Sequence, residues 1–391
     1  MKLTKILIVI LVLSLVLMAA MAAMVLLRKP VPEQLATAMP GEEQPAEREE
    51  TPVSATEIPA ESTAEAPTQA PTEAPTQAPT EPEPRSFLLT FAGDFTLGCR
   101  EKMMNTASAF PNVVGDDYSY PMKNVLQYFE NDDCSFANLE GVLGDKGEAA
   151  KKTYVFRGKA EYVRVLTENS VETVTLANNH AYDYGEEGYA ETRRILEEGN
   201  VRYTEHLKSI TFTTDSGLTI GLYAVNFLEK DVQTEKILED IRALKESGAE
   251  LIICAFHWGK ENTFRPQESQ KELGHAVIDA GAHIVWGHHP HVLQPIEEYN
   301  GGIIYYSLGN FVFGGNSAPK DRDTALVQQE VIREADGTVR LGKMTAVPCS
   351  VGSEGLSNNF QPTPYEEGTN PYERVFRKLN NQYTGKNLAI G

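Results

Sequence analysis

Histidines are concentrated at one point of the sequence. Three of the eight histidines of the chain, His288, His289 and His291, lie within four positions and directly follow an apolar run. Two imidazoles that flank Pro290 contribute little to a hydrophobic core, but imidazole nitrogen is a common ligand of divalent metals. We therefore predict that His289 and His291 bind a metal ion and that His288 lies beside them.

Four further polar residues also follow apolar runs, and they offer oxygen or imidazole nitrogen donors: Asp94, Glu140, Asn179 and His257. With His289 and His291, this donor set suits Mn²⁺, Fe, Zn²⁺ or Mg²⁺ rather than a soft metal held by thiolates. Two cations about 4 Å apart repel each other strongly unless an anion lies between them. We predict one or two divalent ions, with Asp94 as the bridging carboxylate.

Each of these residues also has an ordinary structural explanation when it is taken alone. Asp94 follows a glycine and could be a turn or helix-cap residue. His257 precedes a tryptophan and could be a packed core histidine, and Asn179 could shape a turn. All of these explanations would have to hold at once, so the joint pattern favours the metal site.

The candidate ligands must be positioned by strands that end at a common edge. Five short apolar runs lead into them, and each predicts a strand: 87–92, 133–137, 173–177, 251–256 and 283–286. Helical patterns are predicted between or beside these strands at 121–131, 160–169, 186–199, 234–248 and 268–281. This alternation predicts parallel strands, whose carboxyl ends lie at one edge of the sheet.

Later segments indicate antiparallel pairs. Residues 210–227, 292–313 and 325–351 each combine apolar runs with a glycine-containing turn, which predicts hairpins. Antiparallel strands added to an alternating core predict an α/β fold in which two mixed sheets pack face to face and helices cover both outer sides. The expected fold class is thus a four-layer α-β-β-α sandwich.

The chain divides into four predicted segments. Residues 1–29 contain an apolar run from Ile6 to Leu27 that is long enough to cross a bilayer. This run predicts a single-pass signal-anchor, and the small residues near its end keep a cleaved signal peptide open as the alternative. Residues 30–86 are rich in Pro, Thr and Glu, which predicts a disordered linker. We expect an extracytoplasmic globular domain at 87–365 and a peripheral tail at 366–391.

The net charge and the cysteine content limit the classes of function that the sequence allows. The formal net charge is −20, and residues 87–391 account for −14 of it once the +4 of residues 1–29 and the −10 of residues 30–86 are set apart. An acidic domain of this kind is a poor candidate for binding nucleic acid. The four cysteines show no C-x-x-C spacing, so the sequence leaves their pairing open.

Six short motifs occur in order along residues 87–313. They are Gly93-Asp94, Asn138-Leu139-Glu140-Gly141, Leu176-Ala177-Asn178-Asn179-His180-Ala181-Tyr182-Asp183-Tyr184-Gly185, His257-Trp258-Gly259-Lys260-Glu261, Gly287-His288-His289-Pro290-His291 and Ser307-Leu308-Gly309-Asn310-Phe311. In these motifs the chain resembles the bacterial CapA family, which is implicated in poly-γ-glutamate capsule synthesis. That family is similar to the calcineurin-like metallophosphoesterases, so the resemblance implies a metallophosphoesterase-like fold.

The resemblance also implies roles for individual residues. It gives six metal ligands: Asp94, Glu140, Asn179, His257, His289 and His291. His180 would protonate the leaving group or steady phosphoryl oxygens, and Asp183 would orient His180. Metallophosphoesterases usually begin with Asp-x-His, whereas this chain has Thr96 at the histidine position. One metal position is therefore expected to have one histidine fewer and to bind its ion more weakly.

Three functions are compatible with these features. The first is a membrane-tethered, metal-dependent hydrolase of a phosphoester or of a surface-polymer linkage. The second is a non-catalytic capsule-assembly factor that binds an anionic polymer such as poly-γ-glutamate, or other capsule-synthesis membrane proteins, with Arg157, Lys159 and Arg164 as a basic patch. The third is a peptide-bond hydrolase that acts on poly-γ-glutamate or on wall peptides.

Overall fold

A computed structural model describes residues 83–355 and 357–388 of the protein. The predicted membrane anchor at 1–29 and the predicted linker up to residue 82 lie outside these ranges. Among the helices that the structure describes, none combines the length and the apolar character needed to span a membrane.

Strands and mostly short helices make up the described residues. The strands are β1 (Arg85–Thr96), β2 (Cys134–Leu139), β3 (Val142–Leu143), β4 (Arg157–Gly158), β5 (Thr173–Thr175), β6 (Arg202–Thr204), β7 (Lys208–Thr213), β8 (Thr219–Asn226), β9 (Leu251–His257), β10 (Ile284–His288), β11 (Ile296–Tyr299), β12 (Gly302–Tyr305), β13 (Asn310–Phe313), β14 (Asp323–Arg333), β15 (Val339–Ser350) and β16 (Thr363–Pro364). The α-helices are α1 (Phe110–Val114), α2 (Leu126–Phe129), α3 (Arg164–Thr167), α4 (Gly185–Glu198), α5 (Thr234–Glu246), α6 (Glu268–Asp279) and α7 (Asn370–Leu379). Short 3-10 helices lie at Glu101–Met103, Tyr120–Met122 and Ala160–Val163.

The strands form two large mixed sheets and one small two-stranded sheet. The first sheet has the order β16-β15-β14-β1-β2-β5-β6, and β13 also pairs with β1. In it, β1, β2, β5 and β6 are parallel, while β14 is antiparallel to β1. The second sheet has the order β11-β12-β10-β9-β8-β7, in which β8, β9, β10 and β12 are parallel. The alternating segments therefore form parallel cores, and the three predicted hairpins add the antiparallel strands.

The two large sheets pack face to face over an apolar core. Phe91 of the first sheet stacks on Phe136 with ring centroids 4.9 Å apart, and it meets Trp286 of the second sheet at 5.8 Å. The Trp286 indole donates a hydrogen bond to the carbonyl of Ala92 at 2.9 Å, which joins the two sheets. Helix α4 covers the outer face of the first sheet, and α5 and α6 cover that of the second. The predicted four-layer sandwich of two mixed sheets is confirmed.

Two of the five predicted helices are much shorter than the sequence indicated. Residues 121–131 contain only a 3-10 turn and α2, and residues 160–169 form a 3-10 turn followed by α3. In the second segment the Asn169 amide donates to the carbonyls of Val165 and Tyr118. A side chain that competes in this way for backbone acceptors helps to end a helix. The other three predictions correspond to α4, α5 and α6.

The C-terminal part differs from the peripheral tail predicted at 366–391. Helix α7 packs Val375 and Leu379 against Leu293 and Ala325, which lie in the body of the domain. The sequence did not indicate this helix, because few of its residues are apolar and the contacts that fasten it are mostly made by charged side chains.

Buried ion pairs fasten α7 to the edge of β14. The Asp323 carboxylate is fully buried, and it lies 2.6 Å from Arg374 Nη2 and 2.7 Å from Lys378 Nζ. Lys378 Nζ also lies 2.7 Å from the carboxylate of Asp321. The Lys378 side chain is itself buried, so its charge depends on both carboxylates.

We expect Asp323→Ala to lower the free energy of unfolding by about 3–5 kcal/mol, because the variant leaves a buried ammonium with one carboxylate instead of two. Glu373→Ala, at an exposed position of α7, is the matched control and should change this free energy by less than about 0.5 kcal/mol. Urea unfolding followed by circular dichroism measures both. A loss below about 1 kcal/mol for Asp323→Ala would show that these ion pairs do not fasten the helix.

Candidate metal centre

The predicted ligands converge at the carboxyl ends of the parallel strands. Asp94 of β1 lies opposite Asn138 of β2, and His257 of β9 lies opposite His288 of β10. The first sheet and its loops thus supply carboxylates and amides, while the second sheet and its loops supply imidazoles. Because the sheets face each other, these side chains meet at one edge of the sandwich.

Asp94 is fully buried and already has close partners. Its Oδ1 accepts a hydrogen bond from the Asn138 amide at 2.8 Å and lies 3.1 Å from His288 Nδ1. Its Oδ2 lies 3.2 Å from His291 Nδ1. Burial alone would raise the pKa of Asp94, but the contacts with the two histidines lower it below the usual range of aspartate. Asp94 is therefore an ionised carboxylate, as a metal ligand must be.

Glu140 is buried without a hydrogen-bond partner for either carboxylate oxygen among the described residues. Its Oε1 lies 3.8 Å from His257 Nε2 and 3.9 Å from Nε2 of both His180 and His291. Burial raises the pKa of Glu140 to about 8, and the neighbouring Asp94 also raises it. A divalent cation among these atoms would supply the missing partner, so the donor set fits the predicted metal.

Glu140 differs in its partners from Asp94, which the sequence predicted as the bridge. Asp94 is engaged by Asn138, His288 and His291. The unpartnered Oε1 of Glu140 instead faces imidazoles from three separate segments of the chain. A bridging ligand must reach both ions of a pair. Both carboxylates lie in one donor set with His291, and the bridging role of Asp94 stays a prediction.

A further group of donors consists of Asn179, His257 and His289. Asn179 Oδ1 lies 2.8 Å from His257 Nε2, and the rings of His257 and His289 are 4.8 Å apart. Burial lowers the pKa of His257 well below its ordinary value and that of His289 to about 3. Both rings are therefore neutral near pH 7, and the neutral imidazole is the form that binds metals.

The backbone at the two histidines around Pro290 is left-handed. The φ angles of His289 and His291 are 94° and 56°, a region that costs a non-glycine residue about 1–3 kcal/mol. Asn310 steadies His291, because its Oδ1 lies 2.9 Å from His291 Nδ1 and its amide donates to the His291 carbonyl. Backbone strain of this kind is concentrated at functional sites, and here it accompanies two ligand side chains.

The candidate donor atoms form two overlapping sets. Within each set, the atoms lie within 4.8 Å of one another. One set is Asp94, Glu140 and His291; the other is Glu261, His289 and His291. The sequence did not indicate Glu261 as a ligand, although it stands four residues after His257 in the fourth motif. A single carboxylate in a loop gives no periodic signal, so the structure was needed to find it.

Thr96 occupies the position at which an Asp-x-His motif would carry histidine. Its side chain is buried, and its hydroxyl donates to the carbonyl of Glu140 at 2.8 Å. Thr96 therefore fixes the backbone of Glu140 but offers no imidazole. The first donor set has one histidine, His291, and weaker binding at this position stays a prediction.

His180 and Asp183 form a hydrogen-bonded pair beside the metal ligands. His180 Nδ1 lies 2.8 Å from Asp183 Oδ2, and His180 Nε2 points towards Glu140 at 3.9 Å. Asp183 is held in turn by the backbone amide of Phe156 and by Lys152, whose Nζ lies 2.5 Å from Oδ1. Burial lowers the pKa of His180, although Asp183 opposes this shift. The predicted orienting contact is present.

The site opens into a cavity of about 340 Å³. Its walls include His180, Glu261, His291, Tyr154, Phe156 and Arg100. The Arg100 guanidinium lies over the exposed ring of Tyr154 at 5.0 Å. The cavity therefore combines candidate metal ligands with aromatic and cationic groups.

Arg157, Lys159 and Arg164, which were predicted as a basic patch, each have a local contact. Arg157 lies over the ring of Tyr184 at 3.4 Å, and Arg164 pairs with Glu168 at 2.6 Å. Lys159 lies 4.0 Å from an aspartate. Lys159 and Arg164 are more than half exposed, so the basic patch stays a prediction.

The sequence is similar to proteins of bacterial capsule synthesis. A family model described as bacterial capsule synthesis protein PGA_cap matches residues 88–315. The chain is 31% identical over 323 residues to the capsule biosynthesis protein CapA of Bacillus anthracis, which covers 76% of this chain and 74% of that protein. It is also 31% identical over 310 residues to the PGA biosynthesis protein CapA of Bacillus subtilis, which covers 74% of this chain and 77% of that protein.

Among solved structures, a 5'-nucleotidase from Candida albicans is similar with a TM-score of 0.39 and 13% identity. The match covers 74% of this chain and 56% of that chain.

We expect Glu140→Gln to abolish stabilisation of the protein by Mn²⁺. Wild type should gain about 2.7 kcal/mol when free Mn²⁺ is 100-fold above its dissociation constant, which corresponds to several degrees in Tm. In EDTA the variant should be as stable as wild type or more stable, because it removes a buried carboxylate that lacks partners. Differential scanning calorimetry measures both conditions.

Glu268→Gln, at an exposed position of α6, is the matched control and should respond to Mn²⁺ like wild type. An equal Mn²⁺ response in Glu140→Gln and wild type would contradict a metal at this carboxylate.

Proposed function

This chain belongs to the family of bacterial capsule synthesis proteins, and we propose that it acts as a metal-dependent hydrolase in capsule or poly-γ-glutamate synthesis. Its substrate on this proposal is a phosphoester or another linkage of a surface polymer. The family match and the two Bacillus relatives agree with the relation to CapA proteins that the six motifs indicated.

The observation that carries the hydrolase proposal is the environment of Glu140. A buried carboxylate without hydrogen-bond partners faces three imidazole nitrogens at 3.8–3.9 Å, and one of these rings, His180, is oriented by Asp183. Burying a charge without a partner is costly. An arrangement built only for stability would not combine such a carboxylate with strained histidines next to an open cavity.

Six residues would hold the metal: Asp94, Glu140, Asn179, His257, His289 and His291. A bound divalent cation supplies charge stabilisation and lowers the pKa of water. Asn138 and His288 keep Asp94 in place, and Asn310 keeps His291 in place. These contacts fix the donor atoms before any ion binds, which is the preorganisation that catalysis requires.

His180 would transfer a proton through Nε2, which is the ring nitrogen that faces the site. Its Nδ1 is bonded to Asp183, which fixes the ring and would stabilise the imidazolium form that donates a proton to a leaving group. Lys152 and the Phe156 amide hold Asp183 in turn.

The cavity beside the metal centre suits a substrate with an anionic group. Arg100 provides a positive charge on its wall, and Tyr154 and Phe156 provide aromatic surface. Residues 87–391 carry a net charge of −14, so an anionic polymer would be repelled by most of the surface. Arg100 and a bound cation together would make the cavity locally favourable for poly-γ-glutamate or for a phosphate group.

A second candidate function is a non-catalytic assembly factor that keeps the same fold and binds the polymer or other capsule-synthesis membrane proteins. Thr96 is the observation that favours it, because its hydroxyl is bonded to the Glu140 carbonyl and provides no second histidine for the first donor set. A protein with one firmly held ion would bind anions without efficient hydrolysis.

The location that we propose is the outer side of the cell membrane. The apolar run from Ile6 to Leu27 would be the single transmembrane anchor, and residues 30–86 would be the tether of the globular domain. Such a protein would meet a surface polymer after export.

We expect purified protein with Mn²⁺ to hydrolyse an aryl phosphate or to shorten poly-γ-glutamate, and to lose this activity in EDTA. Release of nitrophenol and the polymer length on gels measure the two reactions. Cleavage of poly-γ-glutamate alone would favour a peptide-bond hydrolase. Binding of the polymer without turnover under Mn²⁺, Fe²⁺, Zn²⁺ and Mg²⁺ would sink the hydrolase proposal and favour the assembly factor.

His180→Ala should reduce turnover by about 10²–10⁴-fold while the metal content stays at the wild-type value, because His180 moves a proton and is not among the six proposed ligands. Metal analysis and steady-state kinetics measure the two quantities. His275→Ala, which alters a partly exposed histidine on α6, is the matched control. It should keep the wild-type turnover and the wild-type metal content. Unchanged turnover in His180→Ala would remove this residue from the mechanism.

A further inference from the structure

Glu261 has no assigned role, yet it lies at the metal centre. One carboxylate oxygen of Glu261 and one nitrogen each of His289 and His291 lie within 4.8 Å of one another. Ligands on opposite sides of one divalent cation are about 4–4.5 Å apart, since each bond is about 2.0–2.2 Å long. The spacing of these three atoms therefore suits a single shared ion with small adjustments.

We propose that Glu261 is a metal ligand that supplies a carboxylate to the ion held by His289 and His291. The inference rests on the metal centre of the proposed function and adds a seventh donor residue to it. Glu261 is partly exposed and lies on the wall of the cavity with His291.

An independent observation supports a cation next to Glu261. The Glu140 carboxylate is buried, has no hydrogen-bond partner, and lies 3.9 Å from His291 Nε2. His291 is thus shared between an unpartnered carboxylate on one side and Glu261 on the other. Each of the two donor sets that share His291 therefore contains a carboxylate that a cation could bind.

The backbone next to Glu261 is tied to the histidine turn. The amide of Asn262 donates to the carbonyl of Pro290 at 2.8 Å, and Pro290 is the residue between the two histidines. Asn262 is itself left-handed, with a φ of 59°. The loop with Glu261 and the turn with the imidazoles therefore keep a fixed spacing, as a shared ion requires.

The C-terminal segment holds the other side of this loop. The amide of Leu388 donates to the carbonyl of Asn262 at 3.0 Å, and the side-chain oxygen of Asn387 accepts from the amide of Phe264 at 3.1 Å. The Phe264 ring packs against Tyr383 at 4.9 Å. The segment after α7 thus positions the Glu261 loop.

Glu261 would also offset the departure at Thr96. The missing imidazole lowers the number of donors at the first set, whereas Glu261 adds a donor and a negative charge to the second set, which shares His291 with the first. Three carboxylates, Asp94, Glu140 and Glu261, shift the centre towards oxygen donors. A histidine-rich set suits Zn²⁺. A set with more oxygen donors shifts the preference towards Mn²⁺ or Mg²⁺.

The test measures Mn²⁺ binding to the full-length protein by isothermal titration calorimetry and by metal analysis after dialysis. We expect Glu261→Gln to raise the Mn²⁺ dissociation constant at least tenfold, or to lose one equivalent of Mn²⁺, while its Tm in EDTA equals that of wild type. Glu261→Asp should lie between the two, because the shorter carboxylate keeps the charge. Glu268→Gln is the matched control and should bind Mn²⁺ like wild type.

The outcomes separate this inference from the proposed function. Equal stoichiometry and affinity in wild type and Glu261→Gln would overturn the role of Glu261 and leave the hydrolase proposal standing. Weakened Mn²⁺ binding in Glu261→Gln would support the role of Glu261 as a ligand. If the wild-type protein also binds Mn²⁺ but turns over no substrate, the hydrolase proposal fails while the role of Glu261 stands. Wild-type protein that binds no divalent metal would overturn both.

Discussion

The metal centre depends on how a buried carboxylate is satisfied. Glu140 has no hydrogen-bond partner and no exposed surface, and its Oε1 lies 3.8–3.9 Å from three imidazole nitrogens. Two of the neighbouring rings, His257 and His289, are neutral because burial lowers their pKa. His291 differs, because Glu140 and Asp94 overcome the effect of burial and raise its pKa to about 10, so it carries a positive charge in the metal-free protein. A divalent cation would bind the neutral rings and the carboxylates together. The unpartnered carboxylate and the neutral rings thus both favour the binding of a cation.

The fold meets this requirement by dividing the donors between two sheets. Asp94 lies in a strand of the first sheet and Glu140 directly follows another, while His257 ends a strand of the second sheet and His289 directly follows another. Neither sheet alone carries a complete site, so the donors come together only when the sheets pack. The indole of Trp286 donates to the carbonyl of Ala92, which fixes the two sheets against each other two residues from Asp94. At this edge, the packing of the two sheets therefore also fixes the geometry of the site.

The sequence predicted the parts of the structure that depend on local pattern. Apolar runs followed by polar residues located the five central strands, and the alternation with helices placed their ends at one edge. Features that depend on side-chain reach were less accessible. The missing hydrogen-bond partners of Glu140 and the position of Glu261 beside the histidines follow from spacing across loops that no periodicity encodes. Helix α7 was missed because Arg374 and Lys378 anchor it through ion pairs, and charged residues normally indicate solvent.

The charge of the domain ties substrate binding to metal binding. The centre gathers Asp94, Glu140 and Glu261 in a domain whose formal charge is already strongly negative. Without a cation, these carboxylates would repel a phosphate or a polyglutamate chain at the cavity, and Arg100 alone would not offset them. A bound cation reverses the local sign at the place where hydrolysis would occur. On the proposed function, therefore, the ion is needed to admit the anion as well as to activate water, and a metal-free protein would fail at binding before it failed at chemistry.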